Sequence, residues 1–448
     1  MANTTLTRNM TTQGSAIKGT FSAWVKRSKI SLGAGGVDSD IYQHNYSSDY
    51  RFIIIFTSDD KLRIGDYRDN AGGWVMKKDT NALYRDTNAW YHIYVAIDRS
   101  LATAEDRQKV YVNGERITSW SSSTDYSQQT SGGHSGAGYP SMNNNYNGII
   151  GGRENSTDYF DGLISHLYWV DGSVIDIAQF GSTDATTGEW KINTGPTIAS
   201  YGTNGHSHFK DVASVNDASS NNNHFTSNGT GITKTEDNPS NVFCTLNPLS
   251  TDSGVTLSSG NTESDYDGSV GNAKGTLGFS SGKFYWEVKI ATADSNYPML
   301  GIGSLDEAQM QKITGGSYPG GFTNSYGTYG NGNVYANGSN TGSQSFTYGT
   351  GDIIGIAVDL DSATKTIKWY KNGNSTAIAS TNITTTAPFT SMDYNGGESA
   401  VNIQYNFGNG KFGTTSVSSA GTNASNLGIF EYDVPTGYTA LCTKGLNE

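Results

Sequence analysis

Short runs of β-branched and aromatic residues recur along this chain, several of them alternating with polar residues at a period of two, and no segment has the period of an α-helix. Period-two alternation places successive side chains on opposite faces of a sheet. Residues 90–97 form the strongest run, and an Asn113-Gly114 pair after the next run favours a hairpin turn. The pattern predicts an all-β chain, with residues 173–180 the one candidate for a short helix. The tryptophans in such runs are expected to be buried: Trp24, Trp90, Trp286 and Trp369.

Length and the distribution of charge indicate two domains. A chain of 448 residues is too long for one sandwich core. All ten arginines lie between Arg8 and Arg153, so residues 1–195 have 18 basic and 21 acidic residues (net −3), while the remainder has 11 and 20 (net −9), which together give −12. Residues 196–250 are polar and rich in turn formers. We predict a sandwich at residues 1–195, an irregular linker at 196–250 and a second sandwich at 251–448.

Composition argues against several classes of function. A net charge of −12 and a pI near 5.0 disfavour nucleic acid as a partner, because phosphate contacts need a cationic surface. No apolar run is long enough for membrane insertion, and residues 1–10 lack the apolar core of a secretory signal. Cys244 and Cys442 are too few for a disulfide framework, so we expect two partly buried thiols.

Several runs in the first half resemble strands of concanavalin A-like, laminin-G-like sandwiches. Residues 21–26 (Phe-Ser-Ala-Trp-Val-Lys) resemble the opening strand, 90–98 and 110–117 resemble later strands, and 160–164 (Phe-Asp-Gly-Leu-Ile) resemble the terminal strand. The resemblance implies the fold of residues 15–180 without a particular ligand. Because this group sometimes holds calcium at the sandwich rim, calcium is the one cofactor left open, with Asp98 and Asp161 as candidate ligands. Capping of turns explains both aspartates equally well.

The second half resembles a SPRY domain, which is another concanavalin A-like sandwich. Residues 282–288 (Gly-Lys-Phe-Tyr-Trp-Glu-Val) resemble its opening motif, 351–359 its central motif, and 367–373 and 405–408 its later strands. SPRY domains bind proteins and have no enzymatic activity, so the resemblance implies a binding function. The expected fold is therefore two concanavalin A-like antiparallel β-sandwiches (jelly rolls) joined by an irregular linker.

The pairing of these two modules is similar to structural proteins of marine tailed bacteriophages, of which segments 237–249 and 434–442 are also typical. The resemblance implies a virion surface protein, made in the host cytoplasm: a tail fibre, a head fibre or a capsid decoration. Its implied partners are other virion proteins and cell-surface glycans of the host. It also implies a homo-oligomer, with a trimer as the candidate state. A bacterial glycan-binding adhesin is the alternative, and a glycanase ranks last.

Some concanavalin A-like sandwiches are glucanases in which Glu-x-Asp-x-Glu on one strand aims three carboxylates at a glycosidic bond. The nearest pattern here is Glu-Ser-Asp-Tyr-Asp at residues 263–267, which ends in Asp and lies in a Ser/Gly/Asn tract. We interpret it as a solvated loop, with a calcium site and catalysis as alternatives. Residues 431–433 (Glu-Tyr-Asp) repeat the spacing but run into Pro435. We therefore expect a protein that is not an enzyme.

Three histidines raise the question of a metal site. His206, His208 and His224 lie in the predicted linker, with no Cys or carboxylate at the spacing of zinc ligands. We interpret them as loop histidines. Gly pairs such as Gly151-Gly152 match strand-end turns, and no phosphate-binding loop or dinucleotide fingerprint occurs.

Residues 315–351 are predicted to form an exposed binding surface. Gly, Asn, Ser, Thr and Tyr dominate the tract, which has few aliphatic residues for a core and many glycines that make long strands costly. Tyrosine combines stacking area with a hydroxyl at small entropic cost, which suits a glycan or a protein ligand. The alternative is that the tyrosines pin the loop to its own domain. The candidate ligand-binding residues are Tyr318, Tyr326, Tyr329, Tyr335 and Tyr348.

Overall fold

Strands make up nearly all of the regular structure in this computed structural model, which describes residues 4–31, 36–134, 139–153, 158–210, 212–268, 270–293, 298–304, 318–344, 346–396 and 400–447. No α-helix occurs in these residues, and the all-β prediction is confirmed. Nor does any helix in them have the length and apolar content needed to cross a membrane. Their helical turns are short 3-10 turns at Asp69–Ala71, Ala104–Asp106, Ile177–Gln179, Pro248–Ser250 and Gly445–Asn447.

The chain divides into two compact units, Met1–Lys234 and Thr235–Glu448. The described strands of the first unit are β1 (Thr5–Asn9), β2 (Lys18–Arg27), β3 (Ser39–Ser47), β4 (Tyr50–Phe56), β5 (Lys61–Arg68), β6 (Gly73–Leu83), β7 (Trp90–Asp98), β8 (Gln108–Val112), β9 (Glu115–Arg116), β10 (Trp120–Thr124), β11 (Asn147–Ile150), β12 (Gly162–Asp171), β13 (Gly181–Thr183), β14 (Trp190–Ile192), β15 (His206–His208) and β16 (Thr226–Asn228). They form an eight-stranded sheet in the order β10-β6-β5-β4-β3-β11-β1-β16, a six-stranded sheet in the order β15-β12-β2-β7-β8-β9, and the pair β13-β14. Every pairing in these sheets is antiparallel.

Apolar side chains that point inward from the two large sheets form the core of the first unit. In β2 these are Phe21, Ala23 and Val25, all fully buried. The outward face of the six-stranded sheet is buried as well, because the chain after β12 covers it. Tyr94 packs on Phe180 at 5.9 Å between ring centres on that outer side.

Residues 196–250 do not form the separate linker that the sequence predicts. β15 extends the six-stranded sheet beside β12, and β16 extends the eight-stranded sheet beside β1. Asp217 organises the turn between them, since its carboxylate accepts hydrogen bonds from the backbone N–H groups of Ser207, Ser219 and Asn223 at 2.8 Å each. The polar composition reflects side chains that satisfy the backbone of a folded segment. The part before residue 235 belongs to the first unit.

The described strands of the second unit are β17 (Val255–Ser258), β18 (Glu263–Asp267), β19 (Val270–Lys274), β20 (Lys283–Thr292), β21 (Met299–Ser304), β22 (Ser325–Tyr329), β23 (Asn333–Ala336), β24 (Ser339–Ser343), β25 (Ile353–Asp359), β26 (Thr366–Lys371), β27 (Ala379–Asn382), β28 (Phe389–Gly396), β29 (Ala400–Asn406), β30 (Lys411–Phe412), β31 (Thr415–Ser416) and β32 (Thr439–Ala440). One sheet has the order β17-β18-β29-β20-β25-β26-β27, with β32 added in parallel beside β20. The other has the order β19-β28-β21-β22-β23-β24. Inward side chains of both sheets, including Trp286 and Trp369, form one core.

The first and last segments of the second unit pair with each other. The N–H of Cys244 donates to the carbonyl oxygen of Leu441 at 3.0 Å, and Phe243 stands opposite Cys442. Phe243 and Cys442 join an apolar cluster outside the sheet, whereas Cys244 points into the core. The two thiols therefore face opposite sides and form no disulfide. They are buried completely, not partly as expected, with exposed fractions of 1% and 0%.

The four tryptophans expected to be buried are buried, with exposed fractions of 4% for Trp24, 7% for Trp90 and 0% for Trp286 and Trp369. Only Trp286 and Trp369 lie between two sheets. Trp24 lies on the outward face of β2, where it stacks on His92 with ring centres 5.0 Å apart. Burial at this position depends on the segment that follows β12, and not on the second sheet.

A fragment of residues 235–448 is expected to fold, because it keeps the ladder between residues 242–244 and 441–443. A fragment of residues 251–448 loses one strand of that ladder and the cover that Phe243 gives to Cys442. It should melt at a clearly lower temperature or fail to fold. Thermal unfolding followed by circular dichroism compares the two, with residues 1–234 as the control for the other unit. Equal melting temperatures would show that the ladder contributes no stability.

Candidate binding surface

Two of the five candidate tyrosines lie inside the second unit. Tyr326 is 0% exposed, and its hydroxyl accepts a hydrogen bond from the N–H of Thr384 at 3.1 Å. Tyr348 is 2% exposed, and its hydroxyl donates to the carbonyl oxygen of Thr328 at 2.6 Å. Both rings belong to the core. This corrects the expectation that they contact a ligand, because neither has a ring surface available to one.

Strand register decides which tyrosines face outward. β22 and β23 pair with Tyr326 opposite Ala336 and Gly327 opposite Tyr335. Directly opposed residues share a face of the sheet, and neighbours along a strand alternate between faces. Tyr326 therefore points into the core, whereas Tyr335 points away from it. Composition alone does not distinguish the two positions.

Tyr318, Tyr329 and Tyr335 meet on the outward face of the six-stranded sheet, together with Tyr394 of β28. Their ring centres lie 5.4 Å (318 to 335), 5.5 Å (329 to 335), 5.6 Å (318 to 394) and 6.2 Å (318 to 329) apart. The first three are half-buried, and Tyr394 is buried beneath them. We call these four residues the tyrosine cluster. Burial, with a smaller effect of Tyr335, raises the pKa of Tyr318, so its hydroxyl stays protonated at neutral pH.

The sequence does not single out Tyr394, which is the fourth member of the cluster. It lies in β28, a strand with few apolar residues, and stands opposite Met299 of β21. Tyr329 stands opposite the same methionine from the other side. This register places both rings in one row across three strands. The alternation of residues 389–396 indicates a strand that contains Tyr394. Only the pairing register of β21 with its two neighbours shows that this ring meets the tyrosines of the tract at 315–351.

A short segment before β22 crosses the sheet and positions the first ring of the cluster. Gly327 makes the crossing possible, because a Cβ at this position would lie 2.5 Å from Pro319. The hydroxyl of Ser325 accepts hydrogen bonds from the N–H groups of Gly320 at 3.0 Å and Phe322 at 3.2 Å. The tract at 315–351 is therefore not one exposed loop: its described part contains β22, β23 and β24. Residues 315–317 and 345 lie outside the described residues.

The Glu-Ser-Asp-Tyr-Asp pattern forms strand β18 and not the solvated loop that was expected. Ser264 and Tyr266 face inward, where each donates a hydrogen bond to Asp393 at 2.7 Å. Glu263 and Asp265 face outward. Burial opposes ionisation of Glu263, but hydrogen bonds from neighbouring hydroxyl and amide groups lower its pKa overall. Burial and the charge of Glu263 raise the pKa of Asp265.

The two candidate calcium ligands do not share a site. Asp98 stands opposite Lys18, the first residue of β2. Asp161 comes just before Gly162, which stands opposite Arg27, the last residue of β2. At about 3.3 Å per residue, the two ends are roughly 30 Å apart. Asp98 pairs with Lys18 at 3.0 Å and accepts the N–H of Ser100 at 3.1 Å, which is the turn-capping arrangement. In the described ranges, no group of three or more His, Cys, Asp or Glu side chains is placed to hold a metal ion.

His206 and His208 are core residues of β15, which corrects their interpretation as loop histidines. The hydroxyl of Tyr42 lies 3.0 Å from Nε2 of His206 and 2.8 Å from Nε2 of His44. Burial lowers the pKa of His44 to about 3 and that of His208 to about 4, so these rings are neutral near pH 7. His224 lies in a turn, where its Nδ1 accepts a backbone N–H at 3.0 Å.

A buried contact of 2.9 Å joins the Ser22 hydroxyl to Nε2 of His92. The indole N–H of Trp190 donates to Nδ1 of the same ring at 3.0 Å. Burial lowers the pKa of His92 to about 3, so the ring is neutral and its single proton lies on Nε2. A general base needs that nitrogen free to accept the serine proton. The pair is therefore a structural hydrogen bond and is not arranged as a nucleophile with its base.

Glu287 of β20 fastens the C-terminal segment to the outward face of the larger sheet. Its carboxylate is 0% exposed and accepts the N–H groups of Glu431 and Tyr432 at 2.8 Å each. The side chains of Asn406 and Tyr285 donate to it at 3.1 and 3.3 Å. Burial raises the pKa of Glu287 to about 7, although these four donors act in the opposite direction. The larger sheet of the second unit is therefore closed on its outer side at this strand.

Opposite orientations predict losses of stability of different size for two tyrosine replacements. Tyr326→Ser empties a core position and should lower the free energy of unfolding by about 3 kcal/mol or more. Tyr335→Ser removes a half-exposed ring and should lower it by under about 1 kcal/mol. Denaturant unfolding of the two variants and the unmodified chain measures the difference. Similar losses in both would contradict the assigned register of β22 and β23.

The titration of Glu287 predicts a pH dependence of stability. The pKa of Glu287 in the folded state, about 7, lies above the usual value of 4.5 for a glutamate. The folded chain therefore binds more protons between these values, and its stability should fall as pH rises through this window. One proton corresponds to a slope of up to about 1.4 kcal/mol per pH unit. The slope between pH 5 and 8 should become shallower in Glu287→Gln, as measured by denaturant unfolding at each pH. An unchanged slope in that variant would refute the assignment.

Comparisons with known proteins agree with this division of the chain. Residues 3–174 match the model of the concanavalin A-like lectin/glucanases superfamily, and residues 283–409 match the SPRY domain model. The tyrosine cluster lies within the second match. The search of curated proteins found no match.

Three solved structures resemble the chain at low identity. The SPRY domain of human HERC1 is 17% identical, with 36% of this chain and 96% of that chain covered and a TM-score of 0.30. The PSpry domain of TRIM65 is 15% identical, with 36% and 91% covered and a TM-score of 0.29. A human SPRY domain is 18% identical, with 34% and 94% covered and a TM-score of 0.27. The two family matches support a concanavalin A-like domain in the first unit and a SPRY domain in the second.

Proposed function

We propose that this chain is a non-catalytic binding protein whose second unit contacts its ligand through the tyrosine cluster. Both matched domain types commonly mediate binding or protein interactions. The observation that carries the proposal is the grouping of three half-exposed tyrosine rings with centres within 6.2 Å of one another. Their positions are fixed by an antiparallel sheet and by the segment that crosses it. Rings held in place before binding lose little conformational entropy when a ligand stacks on them.

The tract around the cluster favours a ligand without charge. Residues 313–351 contain no Asp, Glu, Lys, Arg or His. Asn, Ser, Thr and Tyr side chains there offer hydrogen bonds without ion pairs; for example, Asn340 donates to the hydroxyl of Tyr335 at 3.3 Å. Sugar rings combine apolar C–H faces with hydroxyl groups and match both features. A neutral glycan of a host surface is therefore the first candidate ligand, and an uncharged patch of a neighbouring subunit is the second.

We further propose that the chain is a surface component of a tailed-phage particle, in which it forms a homo-oligomer. The support is the resemblance of the two-module arrangement, and of segments 237–249 and 434–442, to such proteins. Parts of these two segments pair in the structure through residues 243–244 and 441–442. A glycan-binding bacterial adhesin remains the second candidate. Mass spectrometry of purified virions decides between them: the chain belongs in the particle if the proposal holds, and its absence would refute this part.

The binding function is tested with a variant in which Tyr318, Tyr329 and Tyr335 are all replaced by Ser. Loss of three stacking rings should weaken binding on a glycan array by about tenfold or more. Tyr111→Ser, which removes a half-buried tyrosine of the first unit outside both proposed sites, is the matched control and should bind as the unmodified chain does. If the triple variant melts at a lower temperature while glycan binding and host adsorption stay normal, the cluster is structural. Release of reducing ends from any bound glycan would overturn the non-catalytic assignment.

A further inference from the structure

A second group of tyrosines surrounds a buried guanidinium in the first unit. Arg68 is the last residue of β5 and is 1% exposed. Its guanidinium carbon lies 3.4 Å from the ring centre of Tyr139 and 4.8 Å from that of Tyr50. Tyr46 and Tyr146 extend the group toward solvent, with ring centres 5.2 Å apart and planes inclined by 30°. We call these five residues the Arg68 site.

Asp66 attracts the charge of Arg68, and the side chain of Tyr146 forms a hydrogen bond with its guanidinium. Within the parts of the chain that the structure describes, Arg68 makes no ion pair, and its Nη1 is buried without a hydrogen-bond partner. Its Nε has one long contact of 3.4 Å to the side-chain oxygen of Asn70. Asp66 lies on the same face of β5, but its carboxylate is engaged by the hydroxyl of Tyr126 at 2.7 Å and the N–H of Ser141 at 2.8 Å. The guanidinium therefore keeps unused donor capacity at a buried position.

The chemistry of this arrangement selects an anion with two acceptor oxygens. A buried cation with an unmade hydrogen bond is costly, and contacts with two aromatic faces offset only part of that cost. A carboxylate matches the planar fork of an arginine with two parallel N–H···O bonds. All ten arginines of the chain lie within residues 8–153, so residues 1–195 have a net charge of −3, against −9 for the remainder.

The surrounding rings indicate what the carboxylate is attached to. Tyr46 is 68% exposed, and its ring centre lies 6.2 Å from that of Tyr50, whose ring contacts the guanidinium. Asn145, which is exposed, precedes Tyr146 and adds an amide group, and Ser48, whose hydroxyl donates to Asp49 at 2.9 Å, lies two residues after Tyr46. An aromatic face with polar groups at its edge suits a sugar ring, whose C–H groups stack and whose hydroxyls form hydrogen bonds. A carboxylate on a sugar ring describes an acidic sugar, and the uronic acids are the simplest sugars of this kind.

We propose that the Arg68 site binds a carboxylated sugar of the uronic-acid class, with the carboxylate on the guanidinium and the sugar ring on Tyr46. Because Arg68 is buried, one of the outer tyrosine rings turns aside when the ligand enters. This site is separate from the tyrosine cluster, which lies in the other unit and has no charged residue in its tract. The two sites therefore take ligands of different charge.

The test is titration calorimetry of the full-length chain with oligogalacturonate, and with a neutral glucose oligomer of equal length. The proposal predicts saturable binding of the uronate that weakens as salt is raised, and no binding of the neutral oligomer. Tyr46→Ser and Arg68→Lys should each weaken uronate binding by about tenfold or more. Tyr335→Ser, in the tyrosine cluster, should leave it unchanged.

Arg68→Lys changes a buried residue, so circular dichroism and a thermal melt must show that this variant is folded. Tyr46 is exposed, and Tyr46→Ser keeps the test decisive if Arg68→Lys does not fold. No binding of the uronate would overturn the proposal, as would binding that survives Tyr46→Ser. Equal affinity for the neutral oligomer would show that the guanidinium does not determine which sugar binds. Binding of a peptide with a free C-terminal carboxylate, but not of the uronate, would reject the sugar assignment. These outcomes do not depend on the tyrosine cluster, so a negative glycan-array result for that cluster would not change how they are interpreted.

Discussion

Burial of the central strands on both faces is the constraint on which the rest of each unit depends. Nine of the ten residues of β2 are buried, although the second sheet covers only its inner face. The outer face needs its own cover, which the chain after β12 supplies through Phe180 and Trp190. In the second unit the C-terminal segment performs the same task over β20, held by the carboxylate of Glu287. A sandwich of two sheets alone would leave both of these faces apolar and exposed.

The segments that cover the outer faces determine which surfaces stay accessible to a ligand. In the second unit the C-terminal segment closes the larger sheet on its outer side at β20, and the tyrosine cluster lies on the outward face of the six-stranded sheet. Even there, the segment before β22 crosses the sheet, and Gly327 leaves the space that it needs. Tyr335 and Tyr329 stay accessible because they flank this crossing. The site follows from what the covering segments leave open, and not from the tyrosine content of the tract.

The sequence predicted the fold and the burial of four tryptophans because runs with few polar residues are unambiguous. The sequence-based predictions failed where polar side chains stabilise the folded chain. Residues 206–228 look like a linker, yet Asp217 satisfies their backbone and two of their histidines are buried in the core. β18 looks like a loop, because only Tyr266 among its inward residues is aromatic. Tyr326 and Tyr335 differ only in strand register, which requires knowledge of the pairing partner.

Both units bury carboxylates, but only the first buries arginine and histidine side chains, and this difference extends to the candidate sites. All arginines and histidines of the chain precede residue 235. His44 and Arg68 are two of those that are buried in the first unit. The second unit uses carboxylates surrounded by hydroxyl and amide donors, as at Glu287 and Asp393. A unit that keeps guanidinium groups inside has cationic donors that an anionic ligand can reach when a side chain moves. The tract around the tyrosine cluster has no charged residue, so a ligand on this surface would be held by stacking and neutral hydrogen bonds. The two proposed sites therefore differ in the charge of the ligand that each would take.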